Sequence, residues 1–132
     1  MYGEESANSG VMRKTGSNRV VPAVHGKSEI EADPPFEIQL SRHLAAAYTR
    51  EALIEQYGRF SHGYGEIDAL MRRAIWRAVA RKFGHGVRIE PGVGFKHLET
   101  FEIGNRVFIG AQAYIQGRMD GTTRIGDHSW IG

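Results

Sequence analysis

Six histidines are the residues best suited to proton transfer in this chain: His25, His43, His62, His85, His97 and His128. An imidazole titrates close to neutral pH, so it can take a proton from an attacking hydroxyl or amine. Asp127, His128 and Trp130 stand together near the C-terminus and are the best local group for a contact in the wall of a binding pocket. There is no cysteine, which excludes a cysteine nucleophile, a thiolate zinc site and a disulfide scaffold. His97 and His128 lie 31 residues apart, without a second histidine at close spacing, so no metal site is expected. Arg72, Arg73, Arg77 and Arg81 could grip phosphates from one side of a helix. Without interleaved aromatics they read instead as a solvated face with carboxylate neighbours. A net charge of +2 is too small an excess to imply nucleic acid.

Three segments must position these groups. Residues 1–34 are rich in Ser, Asn, Gly, Lys and Glu, keep neither a period of 2 nor of 3.6, and read as a disordered tail closed by Pro34-Pro35. Residues 35–84 read as a helical N-terminal segment. Thr49 is an expected N-cap with Glu51 in the first turn, and Gly58 is expected to end that helix. A second helix is expected over 66–83, burying Ile67, Leu70, Met71, Ala74, Ile75, Ala78 and Val79, with Gly84 as its stop. Trp76, beside that stripe, reads as packing.

From Ile89 the period becomes six. Ile103-Gly104-Asn105-Arg106-Val107-Phe108 is followed by Ile109-Gly110-Ala111-Gln112-Ala113-Tyr114. After Ile115 and an insertion at 119–122 the frame resumes at Ile125-Gly126 and again at Ile131-Gly132. Two extra residues precede Ile103. Position one is aliphatic, position two often glycine, and position five small or apolar. Short strands joined by tight corners, three to a coil, would stack the position-one side chains inside a prism. The glycines would supply unusual backbone angles.

The Ile-Gly units over 85–132 resemble the hexapeptide-repeat acyltransferases, and the helical lead-in ending Arg81-Lys82-Phe83-Gly84-His85 is similar to that of the family's bacterial O-acetyltransferases. The resemblance implies a mainly β fold, a left-handed parallel β-helix of hexapeptide repeats preceded by an α-helical segment. It implies an enzyme, a homotrimer when full length, that transfers an acyl group from acetyl-CoA, or another acyl-CoA, to the hydroxyl or amine of a sugar or other small acceptor. A cytoplasmic location is expected from an N-terminus without the cationic start and apolar centre of a signal peptide. No bound cofactor, metal, nucleic acid or membrane is expected. Asp127, His128 and Trp130 become acceptor-pocket candidates. The family's catalytic histidine lies in a loop of a later coil, so the catalytic residues are expected downstream of Gly132. The β-helix over 85–132 is then incomplete, and this chain alone is expected to be inactive. The alternative is a non-catalytic or remnant fragment with an interaction role only. The longest uninterrupted apolar stretch, Leu44 to Tyr48, is too short to cross a membrane.

Overall fold

The computed structural model describes residues 31–132. The tail expected over 1–34, with His25, lies outside the described residues as far as 30. Residues 31–34 are described, and Asp33 is fixed to the folded body rather than belonging to a tail. Its backbone N–H donates to His85 Nδ1 at 3.0 Å and its carboxylate accepts from Arg77 Nη2 at 2.6 Å.

Among the described residues three helices come first: α1 (Pro35–Ala47), α2 (Arg50–Phe60) and α3 (Glu66–Val79). Pro35 takes the first helical position of α1, where its fixed φ and missing N–H cost nothing. Thr49 caps α2 as expected, its hydroxyl accepting from Ala52 N at 3.1 Å. Gly58 does not end that helix, which runs on to Phe60. α3 stops at Val79, four residues short of the expectation, because Ala80 turns extended and Lys82–Phe83 pairs as a strand.

The inner face of α3 is also rotated from the expected stripe. Ile75 is buried as expected, but so are Arg72 and Trp76, whereas Ile67 is exposed. Trp76 does pack, with its ring edge-on to Phe95 at 5.4 Å and to Phe101 at 5.8 Å. Of the four arginines only Arg81 is solvated, while the carboxylate neighbours expected of them are found at Arg73 and Arg77. Arg72 is buried and donates to the carbonyls of Ile89 (2.9 Å), Phe60 (2.8 Å) and Gly63 (2.7 Å). Arg73 makes a bidentate pair with the buried Glu37 of α1. Arg77 pairs with Asp33, and Arg81 donates to Thr122 Oγ1.

Eight short strands follow: β1 (Lys82–Phe83), β2 (Arg88–Ile89), β3 (Gly94–Lys96), β4 (Phe101–Ile103), β5 (Phe108–Ile109), β6 (Tyr114–Gln116), β7 (Thr123–Ile125) and β8 (Trp130–Ile131). They sort into three parallel sheets of order β1-β4-β7, β2-β5-β8 and β3-β6. The first pairings are 20 residues apart, as in Lys82↔Glu102 and Phe95↔Ile115. The later ones are 22 apart, as in Ile103↔Ile125 and Ile109↔Ile131. These spacings are three six-residue units plus, respectively, the two extra residues before Ile103 and the four-residue insertion. The two extra residues fall at a 3-10 turn over Leu98–Thr100.

The expectation of a mainly β, left-handed parallel β-helix is corrected. About 40% of the described residues are helical and about 20% are in strands, and the strands form short parallel pairs with no closed or solenoid sheet. The physical reason is twofold. A left-handed corner cuts every strand to two or three residues, and the helices are part of the core rather than a lead-in to it. Leu53, Tyr57, Ile75 and Trp76 share one apolar cluster with Ile89, Ile103, Val107, Ile109 and Ile125. The position-one side chains are indeed internal: Ile89, Ile103, Ile109 and Ile125 are buried, with Ile115 and Ile131 packed against them.

The corners themselves differ from the expectation. The glycine at position two is not where φ turns positive. Positive φ falls at position four, on Gly86, Gly92, Arg106, Gln112 and His128, and at position three on His97. At Gly104 position two is small for another reason: a Cβ there would collide with Asp127 Oδ1 and with the Asp127 backbone nitrogen.

Candidate functional site

The three residues singled out from sequence sit together on the last corner and on β8. Asp127 follows Gly126 at the corner after β7, and its Oδ1 accepts from Asn105 N at 2.7 Å. One row back, Asn105 Oδ1 accepts in the same way from His85 N at 2.7 Å. Position three thus carries a column of side-chain acceptors, each serving the backbone of the row before. One oxygen of Asp127 is committed to that structural task.

His128 holds the left-handed corner at φ 62°, and its backbone N–H donates to Asn105 O at 2.8 Å. Its ring is exposed and has no partner among the described residues. Trp130 is 79% exposed. Only one side of it is supported, by an edge-on contact to Phe108 with ring centres 5.3 Å apart. Phe108 in turn lies beneath the Arg88 guanidinium at 5.5 Å. This outward strip of Arg88, Phe108 and Trp130 runs along β2, β5 and β8 and presents the Trp130 ring to solvent.

On the neighbouring sheet, Lys82, Glu102 and Arg124 occupy one paired position in successive rows. Arg124 Nε donates to Glu102 Oε1 at 3.1 Å, and this contact holds the carboxyl below its usual range. Lys82 and Arg81 add to that lowering, and burial opposes it. A shallow depression of about 220 Å³ lies here, lined by Lys82, Glu102, Arg124 and the corner glycines Gly104 and Gly126.

The remaining histidines are dispersed. His62 Nδ1 lies 3.0 Å from Ser61 Oγ, and His97 Nδ1 lies 3.6 Å from Glu99 Oε2. His85 faces Asp33, and His43 is on α1. None of these reaches Asp127, His128 or Trp130 through a hydrogen bond. The group therefore offers a free imidazole, one remaining carboxylate oxygen and an exposed ring. That suffices to contact a small polar molecule but supplies neither a nucleophile nor an oriented base pair.

Sequence reasoning missed the polar residues that are most deeply placed, Glu37, Ser41 and Arg72. For Glu37 a signal existed, since an acidic residue two positions after a proline marks the first turn of a helix. For Arg72 the helical period pointed elsewhere, and over α1, where Ser41 lies, no helical stripe was read. No family model matches the chain, and no curated protein or solved structure matches it.

Proposed function

We propose that this chain takes part in acyl transfer from acetyl-CoA, or another acyl-CoA, to a hydroxyl or amine of a small acceptor such as a sugar. The setting in this reading is a cytoplasmic homotrimer. The observation that supports it is the six-residue recurrence from Ile103 to Gly132, with its Ile-Gly units, which resembles the acyltransferase repeat in sequence. The reading rests on that repeat and not on a mainly β architecture. Among the described residues, no helix is long and apolar enough to cross a membrane.

In the reaction, the acceptor oxygen or nitrogen bonds to the thioester carbonyl carbon, the carbon–sulfur bond breaks, and the thiol of CoA leaves with the acceptor's proton. Asp127, His128 and Trp130 contact the acceptor in this reading, the ring covering its apolar face and the two polar groups its hydroxyls. The catalytic base is assigned to none of the six histidines.

The test is acceptor-dependent release of free thiol from acetyl-CoA by the protein, with a panel of sugars and amines. Release with at least one acceptor is expected, with Trp130→Ala raising the acceptor KM more than it lowers kcat. If no thiol is released with any acceptor and no acetyl-CoA is bound, acyl transfer is overturned and the interaction-only alternative stands.

A further inference from the structure

α1 and α3 leave a cavity of about 360 Å³ where they meet the corner after β1. That volume falls at the small end of the range of about 300–1,000 Å³ typical of small-molecule sites. Four polar groups line it, and each has hydrogen-bonding capacity left over.

Ser41 is only 2% exposed and its hydroxyl makes no hydrogen bond among the described residues, but the hydroxyl is not a buried orphan: the little exposure that remains reaches it, and it is open to the cavity. Arg42, the next residue on α1, is exposed and makes no ion pair or hydrogen bond among the described residues. Arg77 spends Nη2 on Asp33 Oδ2 (2.6 Å) and Gly84 O (2.9 Å). Its Nη1 is buried without a hydrogen-bond acceptor among the described residues, 3.9 Å from Glu37 Oε2.

The fourth group is His85. Its Nδ1 accepts the Asp33 backbone N–H at 3.0 Å, so the neutral ring must carry its proton on Nε2, which is then a donor. Among the described residues, no carboxylate lines the cavity. Asp33 and Glu37 stand behind it, turned toward arginines. The polar side is thus composed of donors, two of them cationic, against an apolar side that includes Ile38 and Phe83.

We propose that this cavity binds the phosphoryl group of a small organic phosphate, with Ser41 and Arg42 as direct contacts and Arg77 and His85 completing the donor set. Several acceptor oxygens are needed to use donors arriving from α1, α3 and the β1–β2 corner together. A tetrahedral phosphoryl group supplies them better than a planar carboxylate. The apolar side leaves room for a short carbon skeleton. This site is separate from the Asp127, His128 and Trp130 group and does not depend on the acyl-transfer reading.

The test is isothermal titration of the chain with inorganic phosphate, glycerol 3-phosphate, acetate and glycerol. Saturable binding of glycerol 3-phosphate is expected. Equal affinity for inorganic phosphate would assign free phosphate as the ligand, and weaker affinity would assign the ester. Arg42→Ala and Ser41→Ala should each weaken binding about tenfold or more, as for a hydrogen bond to a charged group. Arg42→Lys should retain part of the affinity. The melting temperature of Arg42→Ala should equal that of the parent, because Arg42 ties no other residue in place. Absence of saturable phosphate binding, preference for acetate, or binding indifferent to both alanine substitutions would overturn the proposal.

Discussion

Where α1 crosses α3, the buried contacts are ionic. Glu37, 1% exposed, takes both nitrogens of the Arg73 fork at 2.9 and 3.0 Å, and these hydrogen bonds push Arg73 above the ordinary guanidinium value against the effect of burial, with smaller help from the charges of Glu37 and Asp33. Arg72, one position away, has its charge distributed over three backbone carbonyls. In the strand rows the buried contacts are apolar instead: Ile103 over Ile125, Ile109 over Ile131, with Val107 beside them. Charged ties are directional, so they fix the angle and register of one helix on another. Apolar rows leave direction to the backbone ladder and respond mainly to volume. The two regions should therefore fail differently.

The largest loss is expected where a charge enters the apolar region. Ile109→Asp should unfold the strand rows, costing more than about 4 kcal/mol. Urea denaturation followed by circular dichroism would read this directly. A variant with the parent's midpoint would show that position 109 is not interior. Ile109→Val, by contrast, should cost only about 0.5–1.5 kcal/mol.

Breaking a charged tie from one side comes next. Glu37→Gln should cost about 3 kcal/mol, because Arg73 keeps its charge after losing its counter-ion and one of its two acceptor oxygens. That figure is the lower end of the range for buried pairs, since the Arg73 side chain is 26% exposed. The comparison sharpens in the double variant Glu37→Leu with Arg73→Met, which should recover most of the loss. If it is as unstable as Glu37→Gln alone, the tie contributes stability beyond orientation.

A smaller effect joins the two regions. Tyr57 of α2 donates to Val93 O at 2.6 Å inside the shared cluster. Burial pushes its pKa from 10.0 to about 12, against smaller opposing contributions from Trp76 and Arg72. The unfolded chain gives up this proton near pH 10 while the folded chain keeps it. The contribution is therefore whole below pH 10 and lost as pH rises toward 12. The loss across that window is on the order of 2 kcal/mol. Urea midpoints taken through it should fall for the parent and flatten for Tyr57→Phe. A parallel fall in both would remove Tyr57 as the cause. The smallest shift should come from Glu102→Gln on the exposed face, where Arg124 is screened by water, and added salt should erase it.

Much of the row region was legible from sequence. The frame set by Ile103, Ile109 and Ile125 identifies the interior, because burial repeats every six residues there and the side chains say so. Thr49 announced α2 through its hydroxyl. The charged region was not legible, for a reason of the same kind. Hydrophobic periodicity finds only faces that bury carbon, and α1 buries Glu37 and Ser41 while α3 buries Arg72. The identity of their partners, Arg73 for Glu37 and the carbonyls of Phe60, Gly63 and Ile89 for Arg72, is tertiary information. At the candidate site, the nearness of Asp127, His128 and Trp130 was legible because they are neighbours in the chain. The use of Asp127 as an acceptor for the Asn105 backbone was not, since it depends on one row lying over another.

The change from a 20-residue to a 22-residue spacing between paired strands has a consequence for variation in length. Row stacking is indifferent to how many residues bulge between Gly117 and Thr123, as long as Thr123 returns to pair with Phe101. Doubling such a loop adds only about 0.6 kcal/mol to its closure. Insertions and deletions should accumulate there without disturbing either neighbouring strand, and a peptide spliced at Asp120-Gly121 would be displayed at a corner of the molecule like a label on a rigid edge.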